Sequence, residues 1–238
     1  AWKNNEVILH FGSISGYARI FLNGKEVGMT KASKTAAEFN ITPFLAKGKN
    51  LLAVQVFRWH DGSYLEDQDF WRLSGIERDV YLQATPKTTI WDYFAEANLD
   101  DTYTNGMFNM DIDLRSFTKK APKDLKVSIN LLDAQGKSVY ALNENIKPST
   151  HKINLNAVIK NVTKWSAENP YLYRYVVKLS DANQSQILSK KIGFRKVEIK
   201  NAQLMVNGQA LMVNGVNLHE HHGTKGHAPD RETMLEDV

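Results

Sequence analysis

Apolar and polar residues alternate with a period of two along most of this chain, and that period is the side-chain repeat of a β-strand. Val7-Ile8-Leu9-His10-Phe11, Tyr17-Ala18-Arg19-Ile20-Phe21 and Leu51-Leu52-Ala53-Val54-Gln55-Val56-Phe57 read as strands. Asn23-Gly24 lies between two such runs. A two-residue hairpin turn asks for that pair, because both central positions need positive φ. A second group of strands follows Pro86, over residues 107–117, 125–132, 153–159, 171–179 and 187–194. Turn signals such as Asp133-Ala134-Gln135-Gly136 and Asp181-Ala182-Asn183 separate them. Short strands spaced by turns predict an all-β chain of antiparallel sandwiches rather than a parallel sheet. Helical periodicity is nearly absent until the end. There Asp230 can cap a helix start, and Met234, Leu235 and Val238 begin an apolar stripe. A helix stopped before two turns of its buried face reads as interrupted, so the natural protein is expected to continue.

Thr85-Pro86-Lys87 divides the two strand groups. A second boundary is expected near Phe194-Arg195-Lys196, before a hairpin turning at Asn207-Gly208. The 238 residues suit about two domains, and 42% hydrophobic residues are enough to fill their cores. The net charge of +4 carries no block of like charges, so a nucleic-acid partner is not expected. The absence of cysteine excludes disulfides and thiolate metal sites and leaves the compartment, cytoplasmic or periplasmic, open. No apolar run is long enough for a membrane-spanning helix.

Two segments could carry chemistry. The first runs from Arg58-Trp59-His60-Asp61 through Tyr64-Leu65-Glu66-Asp67-Gln68-Asp69-Phe70-Trp71-Arg72. Carboxylates accept hydrogen bonds from sugar hydroxyls, and flat rings cover the apolar face of a pyranose. The competing reading makes Trp59 and Trp71 core residues and pairs the acids with Arg58 and Arg72. A hard cation is a third reading, although no regular calcium-loop spacing is present. The second segment is Gly215-Val216-Asn217-Leu218-His219-Glu220-His221-His222-Gly223. Its spacing is not that of the helical HExxH zinc motif. With 216–218 as a strand, His219 and His221 would share one face and His222 the other. A ligand-facing polar strand end is favoured there over a packed cluster or a metal site.

These segments also carry a family resemblance. The stretch Tyr64-Leu65-Glu66-Asp67-Gln68-Asp69-Phe70-Trp71-Arg72-Leu73-Ser74-Gly75-Ile76-Glu77-Arg78-Asp79-Val80 resembles the bacterial large (lac-operon-type) β-galactosidases of glycoside hydrolase family 2. So do Trp165-Ser166-Ala167-Glu168-Asn169-Pro170-Tyr171, Gly193-Phe194-Arg195-Lys196 and Gly215-Val216-Asn217-Leu218-His219-Glu220-His221-His222, in the same order. The resemblance implies a jelly-roll, galactose-binding-like sandwich over 1–85, incomplete at its N-terminal side. An immunoglobulin-like sandwich would follow over 86–195. Residues 196–238 would be the entry hairpin, first strand and first helix of a truncated (β/α)₈ barrel. Barrel active sites lie at the C-terminal ends of the strands, which would set His219 at the mouth.

By resemblance, Asp69 binds a galactose hydroxyl and helps hold sodium, and His219 contacts the galactosyl group as the transition state forms. Asp61 matches an acid that binds a peripheral magnesium in some members. Its usual glutamine partner falls at Lys31, a cation that argues against that metal. Leu218 replaces a common arginine and Glu77 a common phenylalanine, so local packing should differ. Retaining glycosidases use two carboxylates about 5 Å apart. In this family both glutamates, and the principal magnesium ligands, lie downstream of these residues, so no catalytic residue is assigned within 1–238. The parent is expected to be a homo-oligomer that uses magnesium and sodium and hydrolyses terminal β-D-galactosides with retention. This chain would supply sugar-binding and spacer sandwiches, be inactive itself, and hold no cofactor of its own. The alternatives are a stand-alone carbohydrate-binding module, a β-glucuronidase or β-mannosidase relative, and a purely structural module. Glu66-Asp67-Gln68-Asp69 favours the galactosidase branch.

Overall fold

The alternating runs become strands in a computed structural model that describes residues 2–66, 71–119 and 122–237. The first group forms β1 (Glu6–Phe11), β2 (Ile14–Ser15), β3 (Tyr17–Leu22), β4 (Lys25–Thr30), β5 (Ala37–Asn40), β6 (Leu52–Phe57), β7 (Gly75–Ile76) and β8 (Val80–Thr85). These pair antiparallel into two three-stranded sheets, β5-β1-β8 and β4-β3-β6, with β2-β7 as a small ribbon. Every second residue points inward. Val7, Leu9 and Phe11 of β1 meet Ala18, Ile20 and Leu22 of β3, with Ile14 and Ile41 completing the cluster. The β3–β4 turn holds Asn23 at φ 54° and Gly24 at φ 78°, the mirror-image turn that matches strand twist.

The second group forms β9 (Thr88–Leu99), β10 (Gly106–Ser116), β11 (Lys126–Leu132), β12 (Ser138–Asn145), β13 (Lys152–Ile159), β14 (Tyr173–Ser180) and β15 (Ser185–Ile192). A three-stranded sheet, β13-β10-β9, faces a four-stranded one, β12-β11-β14-β15, the strand make-up of an immunoglobulin-like sandwich. Phe108, Met110 and Ile112 of β10 and Val127, Ile129 and Leu131 of β11 are essentially sealed from solvent. Phe194 joins them so tightly that a Cβ on Gly106 would meet its ring at 2.5 Å.

A hairpin of β16 (Val197–Lys200), β17 (Gln203–Val206) and β18 (Gln209–Ala210) follows, turning at Asn207-Gly208. Among the described residues, none after Phe194 enters either hydrophobic cluster. The chain divides into one unit of Ala1–Thr85 with Val216–Val238 and another of Pro86–Gly215. The hairpin thus belongs to the second unit and the tail to the first.

The strand expected at 216–218 is not formed. Val216 is 93% exposed. A parallel barrel strand is held by ladders on both sides, and no described strand pairs with these residues. His219 and His221 consequently do not share a strand face. The helix α1 (Arg231–Glu236) does form, with Asp230 Oδ1 accepting from the Thr233 amide at 3.1 Å. Among the described residues no helix is long and apolar enough to cross a membrane.

Candidate functional site

The candidate site grows from the loop that leaves β6. His60 caps a single 3₁₀ turn, Asp61–Tyr64, and Ser63 Oγ accepts from the His60 amide at 3.1 Å. His60 Nδ1 lies 3.2 Å from the Gly62 amide and 3.3 Å from Asp61 Oδ1, so it serves one of them at a time. Only glycine fits at 62, where a Cβ would come to 2.5 Å of the His60 ring. Asp61 Oδ2 accepts from Lys31 Nζ at 2.8 Å. That ammonium, and next His60, hold the Asp61 carboxyl at about 2. The lysine supplies the positive charge that a metal at Asp61 would bring. Among the described residues no three His, Asp or Glu side chains converge to hold an ion.

Beyond this turn the first unit encloses a cleft of about 800 Å³. Arg58, Trp59, Glu66, Trp71, Arg72 and Glu77 line one wall, and His219, Glu220 and His227 of the tail line another. Trp59 and Trp71 are 58% and 53% exposed, so neither is a core residue. The Arg58 guanidinium stacks over the Trp59 ring at 5.2 Å. Trp71 meets the His221 ring edge-on at 5.2 Å and lies tilted to His227 at 6.2 Å. Arg78 Nη1 donates to the His227 carbonyl at 3.2 Å, and burial lowers the His227 pKa. Exposed flat rings beside carboxylates and imidazoles can cover the apolar face of a ring-shaped polyol and bind its hydroxyls.

The histidine cluster separates by role. His219 reaches the cleft, His221 packs on Trp71, and His222 Nδ1 accepts from the Thr224 amide at 3.2 Å within its own turn. Asp69, the other expected sugar contact and sodium ligand, lies outside the described residues, as do Asp67, Gln68 and Phe70. His227 was not singled out by the sequence. Its only local signal is its place just before the Pro229-Asp230 helix start.

Three family models match this chain in tandem. Glycosyl hydrolases family 2, sugar binding domain, covers residues 1–86; glycosyl hydrolases family 2 covers 88–195; and the family 2 TIM barrel domain covers 197–238. The chain belongs to glycosyl hydrolase family 2. A curated relative named beta-galactosidase from Priestia megaterium is 40% identical over 243 residues, covering 100% of this family 2 chain and 24% of the relative. The beta-galactosidase of Vibrio cholerae is 41% identical over 239 residues, covering 96% and 23%. The chain therefore spans about a quarter of the length of these relatives. The crystal structure of Bacteroides uniformis beta-glucuronidase superposes with a TM-score of 0.89 at 24% identity, covering 99% of this chain and 30% of that one. At that identity the likeness is one of fold.

Proposed function

We propose that this family 2 chain is the sugar-binding and spacer part of a retaining β-galactosidase. The observation that carries the reading is identity of about 40% over the whole chain to proteins named beta-galactosidase. The cleft supports it with exposed Trp59 and Trp71 as ring platforms and His219 on the wall. In this reading residues 1–85 form the sugar-binding sandwich, 86–195 the spacer, and 196–238 the entry to the barrel. Asp69 and His219 bind the galactosyl group, and Asp69 also faces sodium. By the family resemblance, the acid/base and nucleophile, a carboxylate pair about 5 Å apart, come from further barrel strands. Magnesium and sodium act there, in a homo-oligomer.

A second reading, a β-glucuronidase, draws on the fold likeness and on Lys34, Arg58, Arg72 and Arg78 around the cleft, which suit a carboxylate. Parallel assays with a chromogenic β-galactoside and β-glucuronide separate the two. The protein containing this chain should cleave the galactoside, and preference for the glucuronide would reverse the assignment. The purified 238-residue chain should cleave neither. Galactoside turnover that survives purification controls would overturn the placement of catalysis elsewhere.

A further inference from the structure

The hairpin β16–β18 precedes the segment carrying His219, and one loop of the second sandwich is built to hold it. That loop joins β9 to β10. Asp100 knots it by accepting from the Thr104 amide at 2.9 Å, Asn105 Nδ2 at 2.8 Å and Thr102 Oγ1 at 2.9 Å. These bonds, the Thr104 amide foremost, hold the Asp100 carboxyl at about 2. The knot sets Tyr103 at φ 53°, a left-handed conformation that is costly for a bulky residue. Its effect is to aim the side chain at the hairpin. The Tyr103 hydroxyl donates to Glu198 Oε1. Its ring covers Gly208, where an added Cβ would come to 2.8 Å of Cε2.

Other bonds converge on the same point. Lys196 Nζ lies 2.7 Å from Asp101 Oδ1, 3.9 Å from Glu198 Oε2 and 5.6 Å from the Tyr103 ring centre. Asn207 Oδ1 accepts from the Lys196 amide at 3.0 Å, and its Nδ2 donates to the Trp165 carbonyl at 2.9 Å. An exposed ion pair contributes little. The Lys196–Asp101 pair is of that kind, with Asp101 99% exposed, but the Glu198 side chain that accepts from Tyr103 is only 25% exposed, and a hydrogen bond to an ionised acceptor is about twice as strong as a neutral one.

We propose that Tyr103 is a positioning residue that locks the β16–β18 hairpin onto the second sandwich, so that the chain leading to His219 departs from a fixed point. The lock stands on this geometry alone. Its consequence for His219 rests on the galactosidase reading above.

The test is hydrogen exchange on the 238-residue chain. Tyr103→Phe keeps the ring over Gly208 and removes the hydroxyl. Exchange in peptides covering β16 and β17 should quicken about tenfold, the loss expected for one charge-assisted hydrogen bond. Peptides of β10, β11 and β14 should not change. Glu198→Gln keeps an acceptor without the charge and should recover part of the protection that Glu198→Ala loses. The Tyr103 ring resonance gives an independent signature. Glu198 foremost, then burial, raises its pKa, with Asp101 adding and Lys196 opposing. Glu198→Gln should bring that titration back toward the ordinary value of about 10. Unchanged hairpin exchange in Tyr103→Phe, or an unmoved ring titration in Glu198→Gln, overturns the proposal. Neither readout uses sugar hydrolysis, so the lock and the galactosidase reading fail separately.

Discussion

The two sandwiches follow the same alternating grammar, yet within these 238 residues the second is closed where β9 meets β15 and the first is open along its β6–β8 side. In the second, Ile90 on the edge strand β9 is buried, and Gln186 of β15 crosses between the sheets. Its Oε1 accepts from Thr89 Oγ1 and from the Ile90 amide, both at 2.7 Å. In the first, the β4–β5 side is closed, with Phe39 packed 3.0 Å from where a Cβ on Gly28 would sit. The opposite side is not. Val80 and Leu82 of β8 pair with Phe11 and Leu9 and so share their inward face, yet they are 41% and 47% exposed against 0% and 2%. Leu52 of β6, paired with Leu22, is 39% exposed. Alternation tells which way a side chain points. It does not tell whether anything lies on the other side of it.

Large-to-small substitutions test this difference most strongly. Phe108→Ala, at a fully buried position of the second sandwich, should cost about 3–5 kcal/mol in urea denaturation. Ile20→Ala, at the centre of the first, should cost about 2–4 kcal/mol. Leu82→Ala should cost less than about 1 kcal/mol, because roughly half of its transfer free energy is never realised. Leu82→Lys should leave the midpoint nearly unchanged and reduce binding of an apolar dye. A cost at Leu82 equal to that at Ile20 would mean that the side is closed after all.

The contrast also explains what the sequence let one read. The turns at Asn23-Gly24 and Asn207-Gly208 and the cap at Asp230 were legible, because each depends on neighbours within a few residues. The central strands β1, β3, β10 and β11 were legible, because their inward rows are uniformly apolar. Strand β9 was not. Its register with β10 slips between Asp113 and Leu114, leaving Trp91 as the extra residue, so the apolar positions lose their period at Trp91-Asp92-Tyr93-Phe94. Residues 216–218 failed for the opposite reason. Their apolar pattern is local, but a barrel strand takes its stability from flanking strands. The site divides likewise. Residue type left its tryptophans open between core and ring platform, and only their exposure of 58% and 53% decides against the core. The meeting of Arg78 with His227, 149 positions apart, could not be read from residue type at all.

The last difference concerns how each unit anchors a loop with one aspartate. Asp61 and Asp100 are both held at about 2, below the ordinary aspartate value of 3.8. A depressed carboxylate contributes stability that is fully present above the unfolded value and is lost as pH falls through the folded one. Both loops should therefore loosen between about pH 4 and pH 2. Salt should tell them apart. Asp61 depends first on the Lys31 ammonium, and those two side chains are 68% and 50% exposed. Asp100 depends on an amide, a carboxamide and a hydroxyl, none of them charged. At 1 M salt the Debye length falls to about 3 Å, so the Asp61 pKa should rise toward its ordinary value while that of Asp100 stays low. Carboxyl carbon resonances followed through an acid titration at low and high salt read both groups at once. Equal movement would show that Asp61, like Asp100, is held by its local turn and not by the lysine.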